Sequence, residues 1–156
     1  MGKRFVFGVL LVLATAAAAI VMSGGRFITV FDLISVAVMV FIPLGAVWMS
    51  HGPARLGRSI ALAFGDDPAD PVELERAKAC VRALSGYIVA TGIFAFFIGF
   101  IFILGNLEDK SKLGPNLAVS LICALYAAFL LIVFSLPITA RLDDRLIAAR
   151  GSTDVR

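Results

Sequence analysis

Few residues in this 156-residue chain have types and spacings that could do chemistry. Asp32 stands three residues after Thr29, at the outer start of a long apolar run. A carboxylate at the centre of a bilayer costs about 2.5–3.5 kcal/mol on insertion scales and marks a functional candidate. At a helix N-terminus the same group is stabilised by exposed N–H groups and the helix dipole, so Asp32 reads either as a cap or as an ion-access residue. His51 is the only histidine. It lies beside Gly52-Pro53 at the far end of the same run, where it reads as an interfacial side chain or as a proton relay. The two cysteines, Cys80 and Cys123, have no metal-ligand spacing and read as packing thiols. Pro43, in the middle of the run, removes one backbone hydrogen bond and predicts a kink, either architectural or a hinge. These residues form no catalytic constellation and no metal set, and the chain reads as neither an enzyme nor a cofactor carrier.

The elements that position them follow from hydropathy. Hydrophobic residues make up 60% of the chain and the mean hydropathy is +0.99, more apolar surface than a soluble core of this size buries. Four apolar runs, 5–22, 28–50, 84–104 and 117–138, contain no Lys, Arg or Glu. At about 1.5 Å per residue each crosses a hydrocarbon layer of about 30 Å. The fold class is therefore all-α: one integral membrane domain, residues 1–156, with four transmembrane helices. The first run follows Lys3-Arg4 and also has the features of a signal peptide. The short Ser23-Gly24-Gly25-Arg26 turn favours a retained helix.

Basic residues orient the chain. With the N-terminus inside, eleven Lys and Arg side chains fall on the cytoplasmic side, and only Arg26, Lys110 and Lys112 fall outside. The reading is N-in and C-in, in a cell inner membrane. The net charge of +3 records this asymmetry and needs no nucleic-acid partner. The polar stretch 51–83 is then cytoplasmic. Leu56, Ile60 and Phe64 recur at helical spacing opposite Arg55 and Arg58, as in a helix lying on the membrane surface. Gly65-Asp66-Asp67-Pro68 breaks it. Asp70-Pro71-Val72-Glu73 is a helix-start signal, and no break follows before Gly105, so the third helix is expected to extend into the cytoplasm, with Glu75 and Lys78 paired at i, i+3. Residues 105–115 read as an outer hairpin, and 151–156 as a disordered tail. Ala95 with Gly99, and Ser120, Ala124 and Ala128, form small-residue stripes for close helix packing.

The stretch Leu104-Gly105-Asn106-Leu107-Glu108-Asp109, followed by Leu113-Gly114-Pro115-Asn116-Leu117-Ala118, resembles the signature of the MotA stator family within the MotA/TolQ/ExbB proton-channel superfamily. The likeness continues through Leu125-Tyr126 and Leu136-Pro137-Ile138. Upstream, Phe31-Asp32-Leu33-Ile34-Ser35 and Gly45-Ala46 match that family's second span. The resemblance implies a shortened, divergent MotA-like subunit. Five copies would surround the helices of a MotB-like single-span partner, and an aspartate in the partner's span would carry the protons or sodium ions. By the same resemblance Phe96, Gly99, Cys123, Ala124, Tyr126 and Pro137 face the pore or the partner. Phe96, Cys123 and Ala124 stand where the family has hydroxyl-bearing or small polar positions. Hydroxyls order water in a pore, whereas a phenyl ring dries it, so a non-conducting scaffold or assembly subunit of the same fold is the alternative function. A chance match in an unrelated small membrane protein is a third. The segment between spans two and three is much shorter than in flagellar MotA, which sets this chain apart from a subunit that touches a standard rotor.

Overall fold

The structure is a computed structural model that describes residues 2–22, 24, 31–65 and 69–153. All regular elements among these residues are helical: α1 (Gly2–Met22), α2 (Leu33–His51), α3 (Pro53–Phe64), α4 (Pro71–Gly105), α5 (Lys110–Leu130) and α6 (Leu136–Thr153). A π turn, Leu131–Ser135, joins α5 to α6 with helical dihedrals at Leu130 and Leu136 on either side. Four stretches are long and apolar enough to cross a membrane: Phe5–Met22, Leu33–His51, one within Pro71–Gly105 and one within Leu113–Gly151. None of the α1 window is buried against protein. A helix apolar all round with no protein cover suits a lipid environment. The chain is thus a multi-pass membrane protein.

Local chemistry sets the ends of the helices. Gly52 adopts φ +79°, which glycine reaches without steric cost, and Pro53 follows as the first residue of α3. At the start of α4 the Asp70 carboxylate accepts from the Val72 amide at 3.2 Å. The outer hairpin is shorter than its Gly and Pro content suggested. Helix α5 begins at Lys110, because Asp109 caps it by accepting from the Ser111 amide at 3.1 Å and the Ser111 hydroxyl at 2.5 Å. Pro115 is the sixth residue of α5, where its missing N–H leaves the Ser111 carbonyl without the i+4 amide. At the other end α6 continues to Thr153, past the Arg150 at which order was expected to cease; residues 154–156 lie outside the described set. A basic side chain in the last turn, here Arg150, suits the negative end of a helix dipole. The predicted start of the second span at 28–30, the 66–68 break and most of the 23–26 turn also lie outside the described residues.

The chain divides into two compact units. Residues 42–88 and 130–156 form one of them. Its core joins Leu74, Ala77 and Val81 of α4 to Ile138, Leu142 and Leu146 of α6, with Ala63 of α3 beside them. Spacings of three and four residues on α4 and of four on α6 place each set on one helix face. Salt bridges flank it, Lys78 to Asp143 and Glu75 to Arg150, with sequence numbers rising on α4 as they fall on α6, so the helices are antiparallel. The expected Glu75–Lys78 pair is replaced by these cross-helix pairs, which bring the two chain segments together. Arg145 donates to the Leu62 carbonyl at the C-terminus of α3, and Arg141 lies 5.1 Å over the Phe64 ring. The face of α3 that packs inward carries Ser59 and Ala63, while Ile60 and Phe64 stay exposed.

The other unit comprises residues 1–41 and 89–129. Its buried side chains are small: Thr91, Ala95, Ser120, Cys123 and Ala127, with Ser35 and Met39 from α2.

Leu142 is fully buried, and Leu142→Ala is expected to cost about 2–5 kcal/mol in denaturant unfolding in mild detergent. Ile147→Ala, one turn away at a residue 70% exposed, is expected to stay within about 0.5 kcal/mol.

Candidate functional site

Asp32 sits immediately before the first residue of α2, and its Oδ2 accepts from the Ser35 amide at 2.8 Å and from the Ser35 hydroxyl at 2.5 Å. The Asp32 carbonyl accepts the first intrahelical bond, from the Val36 amide at 3.0 Å. This is N-cap geometry, with the carboxylate satisfying a helix-start amide that would otherwise be unpaired. Helix α5 supplies two further groups. The Asp32 amide donates to the Tyr126 hydroxyl at 3.1 Å, and the Cys123 thiol donates to the Ser35 hydroxyl at 3.3 Å. Ser35 and Cys123 are buried, Asp32 and Tyr126 half-buried. The start of α2 is therefore tied to the middle of α5 twice, through a thiol–hydroxyl–carboxylate chain and through the bond from the Asp32 amide to the Tyr126 phenol.

Asp32, Cys123 and Tyr126, three of the residues singled out in the sequence, are brought together here. Ser35 links them and was visible in the sequence only as the hydroxyl three residues after Asp32, the spacing of a cap and its N3 position.

Gly99 of α4 meets Ser120 of α5 so closely that a Cβ added at Gly99 would overlap the Ser120 hydroxyl and lie 3.2 Å from its Cα. Gly92, seven residues earlier, faces Ala127, seven later, and an added Cβ there would lie 2.6 Å from the Ala127 Cβ. Two contacts one heptad apart on antiparallel helices define a seam. That seam runs through Ser120 and Ala127, whereas Ala124 and Ala128 of the stripe read from the sequence are exposed. Ala95 and Gly99 are both buried, as their pairing requires.

Phe96 is half-buried, stacked on Phe100 with ring centroids 6.3 Å apart and edge-on to Phe97 at 5.8 Å. Pro43 is fully buried, and α2 runs through it from Leu33 to His51. Pro137 is the second residue after the π turn. Having no N–H, it cannot donate to the Val133 carbonyl, and the Leu136 amide turns instead to Leu131, five residues back. Ser135, inside this turn, is fully buried, 2.5 Å from the Ser85 hydroxyl and 3.4 Å from the Val81 carbonyl to which it donates. Sequence reading missed the Ser85–Ser135 pair; its signal was one serine in each of two apolar runs, near the end read as cytoplasmic. His51 pairs its Nδ1 with the Ser50 hydroxyl at 2.8 Å. Among the described residues no three His, Cys, Asp or Glu side chains are grouped to hold a metal ion.

Motility protein A of Aquifex aeolicus is 42% identical to this chain over 59 residues, 38% of this chain and 23% of that protein. Motility protein A of Borreliella burgdorferi is 41% identical over 54 residues, and that of Cereibacter sphaeroides 33% over 69 residues. The chain is related to motility protein A. The matches span 21–27% of the lengths of these relatives, and no family model matches the chain. A MotA-like relationship excludes the chance match and leaves the conducting and scaffold readings.

Two predictions follow from this geometry. Gly99→Ala is expected to destabilise the protein by about 1–3 kcal/mol through overpacking, and adding Ser120→Gly is expected to recover most of that loss. Asp32→Ala is expected to cost about 1 kcal/mol of stability, as for other lost caps, while Asp32→Asn keeps the cap and most of the stability. Ion-driven activity that fails in Asp32→Asn while stability holds would assign the carboxylate to ion access.

Proposed function

We propose that the chain is a MotA-like subunit of an ion-driven, energy-transducing complex in the cell inner membrane, oriented N-in and C-in. In this reading it forms a homo-oligomer, a pentamer, around a MotB-like single-span protein whose membrane aspartate carries protons or sodium ions. The observation that carries the proposal is the relationship to motility protein A in a chain with four membrane-crossing helices. The polar inventory agrees with it. Asp32 is the one acid within the apolar runs read from the sequence, and its carboxylate is engaged as a helix cap. A transferable charge has then to come from a partner.

The region between the second and third spans contains α3 and the first part of α4. That suits a process other than rotation of a standard flagellar rotor.

A specific observation favours the second reading, a non-conducting scaffold of the same fold. Phe96 is packed among Phe97 and Phe100, and Ala124 has no hydroxyl, so two of the family's polar pore positions are apolar here. Flux measurements in proteoliposomes distinguish the two. The stator reading predicts proton or sodium flux only when the partner is present with its membrane carboxylate intact, and a severalfold rise in flux in Phe96→Thr. Absence of flux with every single-span partner that co-purifies, and in Phe96→Thr as well, supports the scaffold.

A further inference from the structure

Within the unit formed by 42–88 and 130–156, α3 and the start of α4 line an open cavity of about 400 Å³. Three arginines line it, Arg55 and Arg58 from α3 and Arg76 from α4, together with Ser59, Asp70 and Glu73. The two carboxylates are already engaged. Glu73 pairs with Arg58, and Asp70 caps α4. Among the described residues, Arg55 and Arg76 have no carboxylate partner. Three guanidinium groups against two carboxylates leave the cavity with a surplus positive charge, and the two that form no ion pair among the described residues present planar forks of donors that match the oxygens of phosphate or carboxylate anions.

The surroundings indicate what supplies the phosphate. Helix α3 follows the membrane-crossing α2 after the single residue Gly52. The end of α2 exposes Trp48 and Met49, and α3 exposes Ile60 and Phe64. An aromatic residue at the end of a span and apolar side chains on a short amphipathic helix are features of the headgroup layer. A ligand reaching this cavity therefore comes from a leaflet, and a volume of a few hundred Å3 accommodates a small headgroup. Anionic lipids concentrate at basic segments beside transmembrane helices.

We propose that this cavity binds the phosphodiester headgroup of an anionic phospholipid, with Arg55 and Arg76 as the groups that contact the phosphate. Arg58, held by Glu73, shapes the wall between them. The site rests on the multi-pass membrane character of the chain and not on ion conduction, so it stands or falls separately from the stator reading.

The test uses the full chain purified in mild detergent and equilibrated with mixed micelles of phosphatidylglycerol and phosphatidylcholine, with retained lipid counted by native mass spectrometry. The wild-type chain is expected to retain phosphatidylglycerol at least about fivefold over its share of the mixture. The double variant Arg55→Gln, Arg76→Gln is expected to lose that enrichment while keeping its helical circular dichroism and thermal midpoint. Arg82→Gln, a change at an exposed cation on α4 outside this cavity, is expected to keep it. Equal retention by the wild type and the double variant overturns the proposal, and so does an equal loss in Arg82→Gln, which would mean general charge attraction. If inorganic phosphate or an acidic peptide at matched concentration displaces phosphatidylglycerol completely, the lipid assignment is overturned in favour of a soluble anion or a protein segment. A double variant that fails to fold is replaced by Arg55→Lys, Arg76→Lys, which keeps the charge and loses the fork; undiminished enrichment there overturns the assignment of the two guanidinium groups as the phosphate contacts.

Discussion

Hydrocarbon forms no hydrogen bonds, so every peptide group of a spanning segment has to be satisfied by the chain itself. The places where the helices of this protein depart from regularity all show how that demand is met. At Pro137 a donor is missing, and a π turn redirects the Leu136 amide to Leu131 without breaking the rod. Side-chain hydroxyls bond to carbonyls on their own helices: Ser85 to Val81, Ser120 to Asn116 and Thr139 to Ser135. Helix starts that cannot rely on preceding turns are capped by Asp32, Asp70 and Asp109. A hydroxyl whose hydrogen bond is made within the protein can be buried cheaply, and this explains how Ser35, bonded to the Asp32 carboxylate, Ser120, bonded to the Asn116 carbonyl of its own helix, and Ser135, bonded to Ser85 and to the Val81 carbonyl, come to lie in the interior of a protein whose apolar side chains are largely exposed.

That inversion of the soluble pattern determines how the helices meet. Lipid is as apolar as leucine, so large side chains gain little by turning inward, and close backbone approach through small residues supplies the packing energy instead. The Gly99–Ser120 and Gly92–Ala127 contacts are the clearest instances. In the unit containing α3 and α6 the same antiparallel geometry uses Leu74, Val81, Leu142 and Leu146, flanked by charged pairs, as a water-exposed helix pair would. One long helix, α4, thus carries two kinds of seam along its length, one of small residues and one of leucine and valine.

Much of this was legible in the residues. The four apolar runs, the cap at Asp70 and the unbroken helix from Pro71 to Gly105 are local or periodic signals, and a sequence exposes such signals directly. Properties that depend on a partner helix were harder to read. Glu75 was paired within its own helix because Arg150 is far away in sequence. The π turn escaped notice because its cause, Pro137, lies just outside it. At the site, Asp32 as a cap was within reach of spacing rules, but the bonds from Cys123 to Ser35 and from Asp32 to Tyr126 join residues about ninety positions apart and required the fold.

In the proposed reading, which the relationship to motility protein A and the engagement of Asp32 as a cap support, the chain supplies a helical surround and a partner the moving charge. The most direct test is the mass and composition of the complex after extraction from native membranes in mild detergent, with each co-purifying chain identified. The account predicts several copies of this chain around a single-span protein with an aspartate in its membrane segment. A homo-oligomer or monomer with no such partner would contradict it.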